Sequence, residues 1–123
     1  MIGHVAVDSG QIVISDPCWL EHFVQNGFDP AKEKESVGSN GNKGGYEYSY
    51  NGACKATLSK TQAGQLNLNR LNGKKLAVPQ VGVAVGTRYG DWLYPVYAYY
   101  LNGQIMAVLI DFYIDELEEG RKQ

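Results

Sequence analysis

Concentrated positive charge is missing from this chain. There is no Lys/Arg cluster or basic stripe, and the formal net charge is −2. The backbone of a nucleic-acid polymer therefore has no electrostatic footprint to meet, although single nucleotides remain candidate ligands. No apolar run approaches the roughly 20 residues of a membrane-spanning helix. The opening MIGHVAVDSGQ lacks the basic and apolar regions of a secretory signal. No membrane partner and a cytoplasmic location are expected. Cysteine is scarce: Cys18 and Cys54 stand far apart and are expected to stay reduced. Without clustered Cys or His they predict no metal site. His4 and His22 are isolated, and Cys18 has no recognisable His partner for a thiol nucleophile. The glycines of Gly38–Gly45 neither follow a strand nor close on Lys-Ser/Thr, so no phosphate loop is read there. No cofactor is expected, and no catalytic residue declares itself.

Aromatic side chains and Asn-Gly pairs are plentiful. Nine tyrosines and two tryptophans lie in 123 residues, a length that predicts one domain with a sufficient core. Trp92 to Ile114 reads WLYPVYAYYLNGQIMAVLIDFYI. Two β-branched and aromatic runs flank Asn102-Gly103, a pair that tolerates the positive φ of a type I′ turn. A regular register then sets Leu101 opposite Gln104, Tyr99 opposite Met106, Tyr97 opposite Val108, and Tyr94 opposite Asp111. Both faces are largely apolar, so neither is expected to be wholly open to water. The Tyr94–Asp111 pair is the polar exception, read as a satisfied buried contact or as a site pair.

Earlier in the chain, Val5, Val7 and Ile12–Ile14 read as strand, turn, strand around Asp8-Ser9-Gly10. Asp16-Pro17 predicts a helix start, with Asp16 as cap and Trp19, Leu20, Phe23 and Val24 on one face. Asn26-Gly27 is its expected end. Residues 28–45 lose all periodicity and read as a flexible loop. Tyr46–Tyr50, Asn51-Gly52 and Ala53–Ser59 predict a second Asn-Gly hairpin, with three tyrosines on one face for packing or stacking. Residues 60–75 are poorly determined, apart from a turn at Asn72-Gly73. Leu76–Thr87 reads as a strand broken at Pro79. Its small face, Gly82, Ala84 and Gly86, leaves room for a tyrosine or a ligand. Residues 115–123 read as a solvated tail. The expectation is one domain over 1–123. It is mainly β, an antiparallel β-sandwich or partly open barrel with one short N-terminal helix.

Val7-Asp8-Ser9-Gly10 with Asp16-Pro17-Cys18, then Tyr89-Gly90-Asp91 and Tyr94-Pro95-Val96-Tyr97, resembles a family of small bacterial and phage β-domain proteins without an assigned activity. The resemblance implies a compact, mainly β domain. Kinship with phage proteins would imply action by binding, including sequestration of nucleotide immune signals.

Three readings of function follow. The first is a non-catalytic domain binding a small anionic or aromatic ligand, such as a nucleotide-derived signal. It draws on the loop before the hairpin, where Arg88, Tyr89, Asp91 and Trp92 gather a guanidinium, a phenol, a carboxylate and an indole. Asp16, Trp19, Tyr94 and Asp111 complete its candidate residues. The second is an acid–base or metal-assisted hydrolase using Asp8, Asp16, Asp91 and Asp111, if they converge. The third is a protein-binding inhibitor or immunity-like factor, favoured by a flat tyrosine patch. Homo-oligomerisation fits the tyrosine-rich faces.

Overall fold

The computed structural model describes residues 1–29 and 45–113. Most of the loop expected over 28–45, and the tail over 115–123, lie outside the described residues. The chain is mainly β, with antiparallel sheets and no closed barrel among the described residues. It divides into two compact units: residues 11–86, and residues 1–10 with 87 onward.

In the unit spanning 11–86, strands β2 (Gln11–Ser15), β7 (Gln80–Gly86), β4 (Ala63–Asn67) and β3 (Tyr46–Glu47) form one sheet in the order β2-β7-β4-β3. Strand β7 begins directly after Pro79, whose missing N–H would have broken a ladder. β3 and β4 run parallel, which a tight turn cannot achieve. An α-helix, α1 (Tyr50–Thr57), makes the crossover.

That helix replaces the expected second hairpin. Ser49 caps it, its hydroxyl accepting from the Gly52 amide at 2.9 Å, and Asn26 Oδ1 accepts from the Asn51 amide at 2.8 Å. Gly52 is not a turn residue here. A Cβ on it would overlap the carbonyl oxygen of Glu47, so glycine permits the helix to lie against β3. Ala53 and Ala56 continue this small face into a core with Tyr48, Leu66, Val81 and Ala84.

Tyr48 fills the small face of β7. Its ring would meet a Cβ on Gly82 at 3.2 Å, its hydroxyl is 2.7 Å from Ser15 Oγ, and Phe23 packs edge-on at 5.0 Å. The N-terminal helix is a single 3-10 helix, Pro17–His22, that ends at Phe23 rather than at Asn26-Gly27. Residues 70–75 settle into a short hairpin, β5 (Arg70–Leu71) with β6 (Lys74–Lys75). Asn72 and Gly73 there take φ of +53° and +81°, as the expected turn requires.

In the other unit, β1 (Gly3–Ala6), β8 (Leu93–Leu101) and β9 (Gln104–Ile110) form an antiparallel sheet in the order β1-β8-β9. Asn102 and Gly103, with φ of +51° and +79°, close the β8–β9 turn. The register starts as expected, Leu101 opposite Gln104, then shifts at a bulge between Tyr99 and Tyr100. Met106 is the extra residue. Tyr99 faces Ala107, Ala98 faces Val108, and Tyr97 faces Leu109. One inserted residue moves every later β9 side chain to the opposite face. The expected pairings Tyr99–Met106, Tyr97–Val108 and Tyr94–Asp111 are therefore not formed.

Candidate functional site

The loop that concentrates Arg88, Tyr89, Asp91 and Trp92 is built around Tyr94. Thr87 and Gly90 close a turn on themselves: the Gly90 amide donates to the Thr87 carbonyl at 3.2 Å, and Thr87 Oγ1 donates to the Gly90 carbonyl at 2.7 Å. Tyr94 is fully buried. Its hydroxyl accepts from the Tyr89 amide at 3.2 Å and donates to the Gly90 carbonyl at 2.9 Å. A buried phenol finds its partners in backbone, and these two bonds fix the turn.

The register shift explains what takes the place of Asp111. Asp111 instead donates its amide to the Pro95 carbonyl at 3.0 Å. The ring of Phe112 meets Tyr94 edge-on at 5.1 Å and 82°, and Tyr113 lies 5.6 Å from it. Tyr113 holds a left-handed φ of +65°, uncommon for an aromatic residue. Its hydroxyl donates to the Leu93 carbonyl, and its own carbonyl accepts from Arg88 Nη1 at 3.3 Å. The Arg88 guanidinium also lies over the Tyr89 ring, 4.8 Å from its centroid, a favourable cation–π contact. Among the described residues it forms no ion pair with Asp91. Trp92 projects outward, 62% exposed.

Asp16 and Trp19 belong to the other unit. Asp16 Oδ1 accepts from the Cys18 amide at 2.9 Å, the expected cap. Trp19 packs half-buried against the Tyr48 core. Partial desolvation, then the hydrogen bond to and charge of the Asp16 carboxylate, push the Cys18 thiol above its usual range. Among the described residues no three of His, Cys, Asp and Glu gather as a metal-binding group.

The largest feature of this unit was not among the candidate residues. β1 pairs with β8 only over Leu93–Val96. Tyr97–Leu101 and the facing part of β9 run on past it by roughly 17 Å, at about 3.4 Å per residue. Among the described residues both faces of this extension are exposed from Tyr99 to Leu109, while Tyr97 and Ala98 are half-buried, contrary to the expectation of cover. Residues directly opposite share a face. One face therefore carries Ala98, Tyr100, Ile105 and Val108, and Met106 is the unpaired residue of the bulge. Tyr100, Met106 and Val108 are 60%, 62% and 58% exposed. The opposite face carries Tyr99, Leu101 and Leu109, all exposed. From Trp92 to Ile110 the sequence contains no charged residue, while Asp91 and Asp111 bracket it. That run, set against a β1 of four residues, is the signal that marks the hairpin as reaching beyond its support.

Searches against protein-family models, curated proteins and solved structures find no match for the chain.

Proposed function

We propose that this chain is a non-catalytic protein-interaction domain whose recognition element is the distal β8–β9 hairpin. The observation that carries this reading is the uncharged, two-faced apolar hairpin. Seven apolar side chains from Tyr99 to Leu109 are each more than 40% exposed. A monomer's largest exposed apolar patch is ordinarily about 300–600 Å², and larger ones mark interaction surfaces. Interface cores are enriched in tyrosine, tryptophan and methionine and depleted of charge, which is the composition of this segment. A photo-crosslinking residue at position 100 should give polypeptide adducts in cells producing the full chain, while one at exposed Val78 should not. Equal labelling at both positions, or none at 100, would contradict this reading.

A second reading keeps the small-ligand site at Arg88, Tyr89 and Trp92. One observation favours it: a guanidinium stacked on a phenol beside an exposed indole is a surface on which a planar anion could lie. It ranks second because Tyr94, Tyr113 and the Arg88 guanidinium already hold hydrogen bonds to nearby backbone carbonyls. Thermal shift with cyclic dinucleotides and ADP-ribose derivatives tests it. A rise in melting temperature that Arg88→Ala abolishes would move it to first place.

A further inference from the structure

Resting on the interaction-domain reading, we infer that the hairpin's partner is a second copy of this chain, joined through the free edge of β9. The sheet order leaves β9 with a neighbour on one side only among the described residues. The Asp111 amide bonds the Pro95 carbonyl, so 111 and 95 form a hydrogen-bonded pair. Such pairs alternate along an antiparallel ladder. Leu109 and Ala107 therefore also bond inward to β8. The amides and carbonyls of Val108 and Ile110 point to the open edge.

An open row of backbone donors and acceptors is a template for another strand. Natural edges are blunted by charge, proline, shortness or bulges. β9 has seven residues, QIMAVLI, with no charge and no proline. Its one bulge sits at Met106, toward the turn, and leaves 107–110 regularly paired.

The chemistry selects a copy of itself over other occupants. Antiparallel pairing of β9 with β9 across a two-fold axis sets each strand's edge against its own kind, which an uncharged strand tolerates and a charged one does not. The remaining segments of the chain, residues 30–44 and 114–123, are rich in Lys and Glu and match this apolar edge poorly. The area is comparable to what pairing needs. The seven exposed apolar side chains from Tyr99 to Leu109, at about 100 Å² each, hold on the order of 700 Å², close to the ~800 Å² per partner of a stable interface. Pairing would join three strands from each copy into one continuous sheet, with Val108 and Ile110 of each copy along the seam.

The test is sedimentation velocity of the full chain from low-micromolar to sub-millimolar concentration, with two β9 variants and one control. Val108→Pro removes an edge donor that β8 does not use. Val108→Lys sets like charges against each other across the two-fold axis at an exposed position. Val78→Lys is the control. The expected result is a wild-type dimer that the control preserves. Both β9 variants should weaken it by about tenfold or more, equivalent to at least ~1.4 kcal/mol, with unchanged far-ultraviolet circular dichroism. If the proline variant unfolds, the lysine variant decides, and high salt should restore part of its dimer. A wild-type monomer at every concentration, or a dimer indifferent to both variants, overturns self-pairing. A monomer that still crosslinks from position 100 to a different polypeptide overturns the second copy and keeps the interaction-domain reading. A monomer with no adduct, or one whose adducts are lipid, overturns both.

Discussion

Single hydroxyl and thiol groups carry much of the local order, and their removal has calculable effects. Tyr94→Phe keeps the buried ring against Phe112 and Tyr113 and deletes only the oxygen that serves the Tyr89 amide and Gly90 carbonyl. The Gly90 carbonyl keeps its bond from Thr87 Oγ1, so only the part-buried Tyr89 amide is left unanswered, at about 1 kcal/mol. Urea unfolding should show that loss, and an unchanged midpoint would mean the 87–90 turn holds itself. Cys18 offers a titration at the same scale. Its thiol is raised partly by the Asp16 carboxylate, so at a given pH less of it is the reactive thiolate. Asp16→Asn retains the capping oxygen and removes the charge. The pH–rate profile of iodoacetamide alkylation should then shift to lower pH, with faster labelling at fixed pH. An unmoved profile would show that the carboxylate contributes nothing.

At the level of elements, three Asn-Gly pairs show how far the sequence could be read. Asn72-Gly73 and Asn102-Gly103 take positive φ and turn the chain, as their chemistry suggests. Asn51-Gly52 does not. Asn-Gly marks where a left-handed turn is permitted, and stronger local bonding decided otherwise. Ser49 stands at the cap position, and Ala53 and Ala56 form a small face that fits against the sheet. Those signals were present but outweighed by the alternating Tyr46, Tyr48 and Tyr50.

Gly52→Ala separates the two roles. Helix propensity alone would favour alanine by about 1 kcal/mol, but the overlap with the Glu47 carbonyl makes this an overpacked site, costing about 1–3 kcal/mol. Packing should win and the melting temperature should fall; a rise would mean the helix stands off β3. The register of β8–β9 was legible at its turn and lost at Met106, because nothing in an uninterrupted apolar run announces which residue will bulge. Of the candidate site, the Asp16 cap and the clustering of Arg88 and Tyr89 around Tyr94 follow from local chemistry. The Tyr94–Asp111 pair failed with the register.

For the whole molecule, the decisive quantity is apolar surface in contact with water. Two apolar faces predicted cover, and among the described residues the distal hairpin of the three-stranded sheet is left exposed. Length explains why: β1 supports four residues of β8 and ends. The same physical demand for cover then passes to another molecule. Hydrogen–deuterium exchange across a concentration series tests this most directly, because the Val108 and Ile110 amides face the free edge of β9. Their exchange should slow as concentration rises, while the amides of residues 88–92 keep their rate. Fast, concentration-independent exchange at 108 and 110, with protection appearing instead at 88–92 when a nucleotide is added, would contradict it.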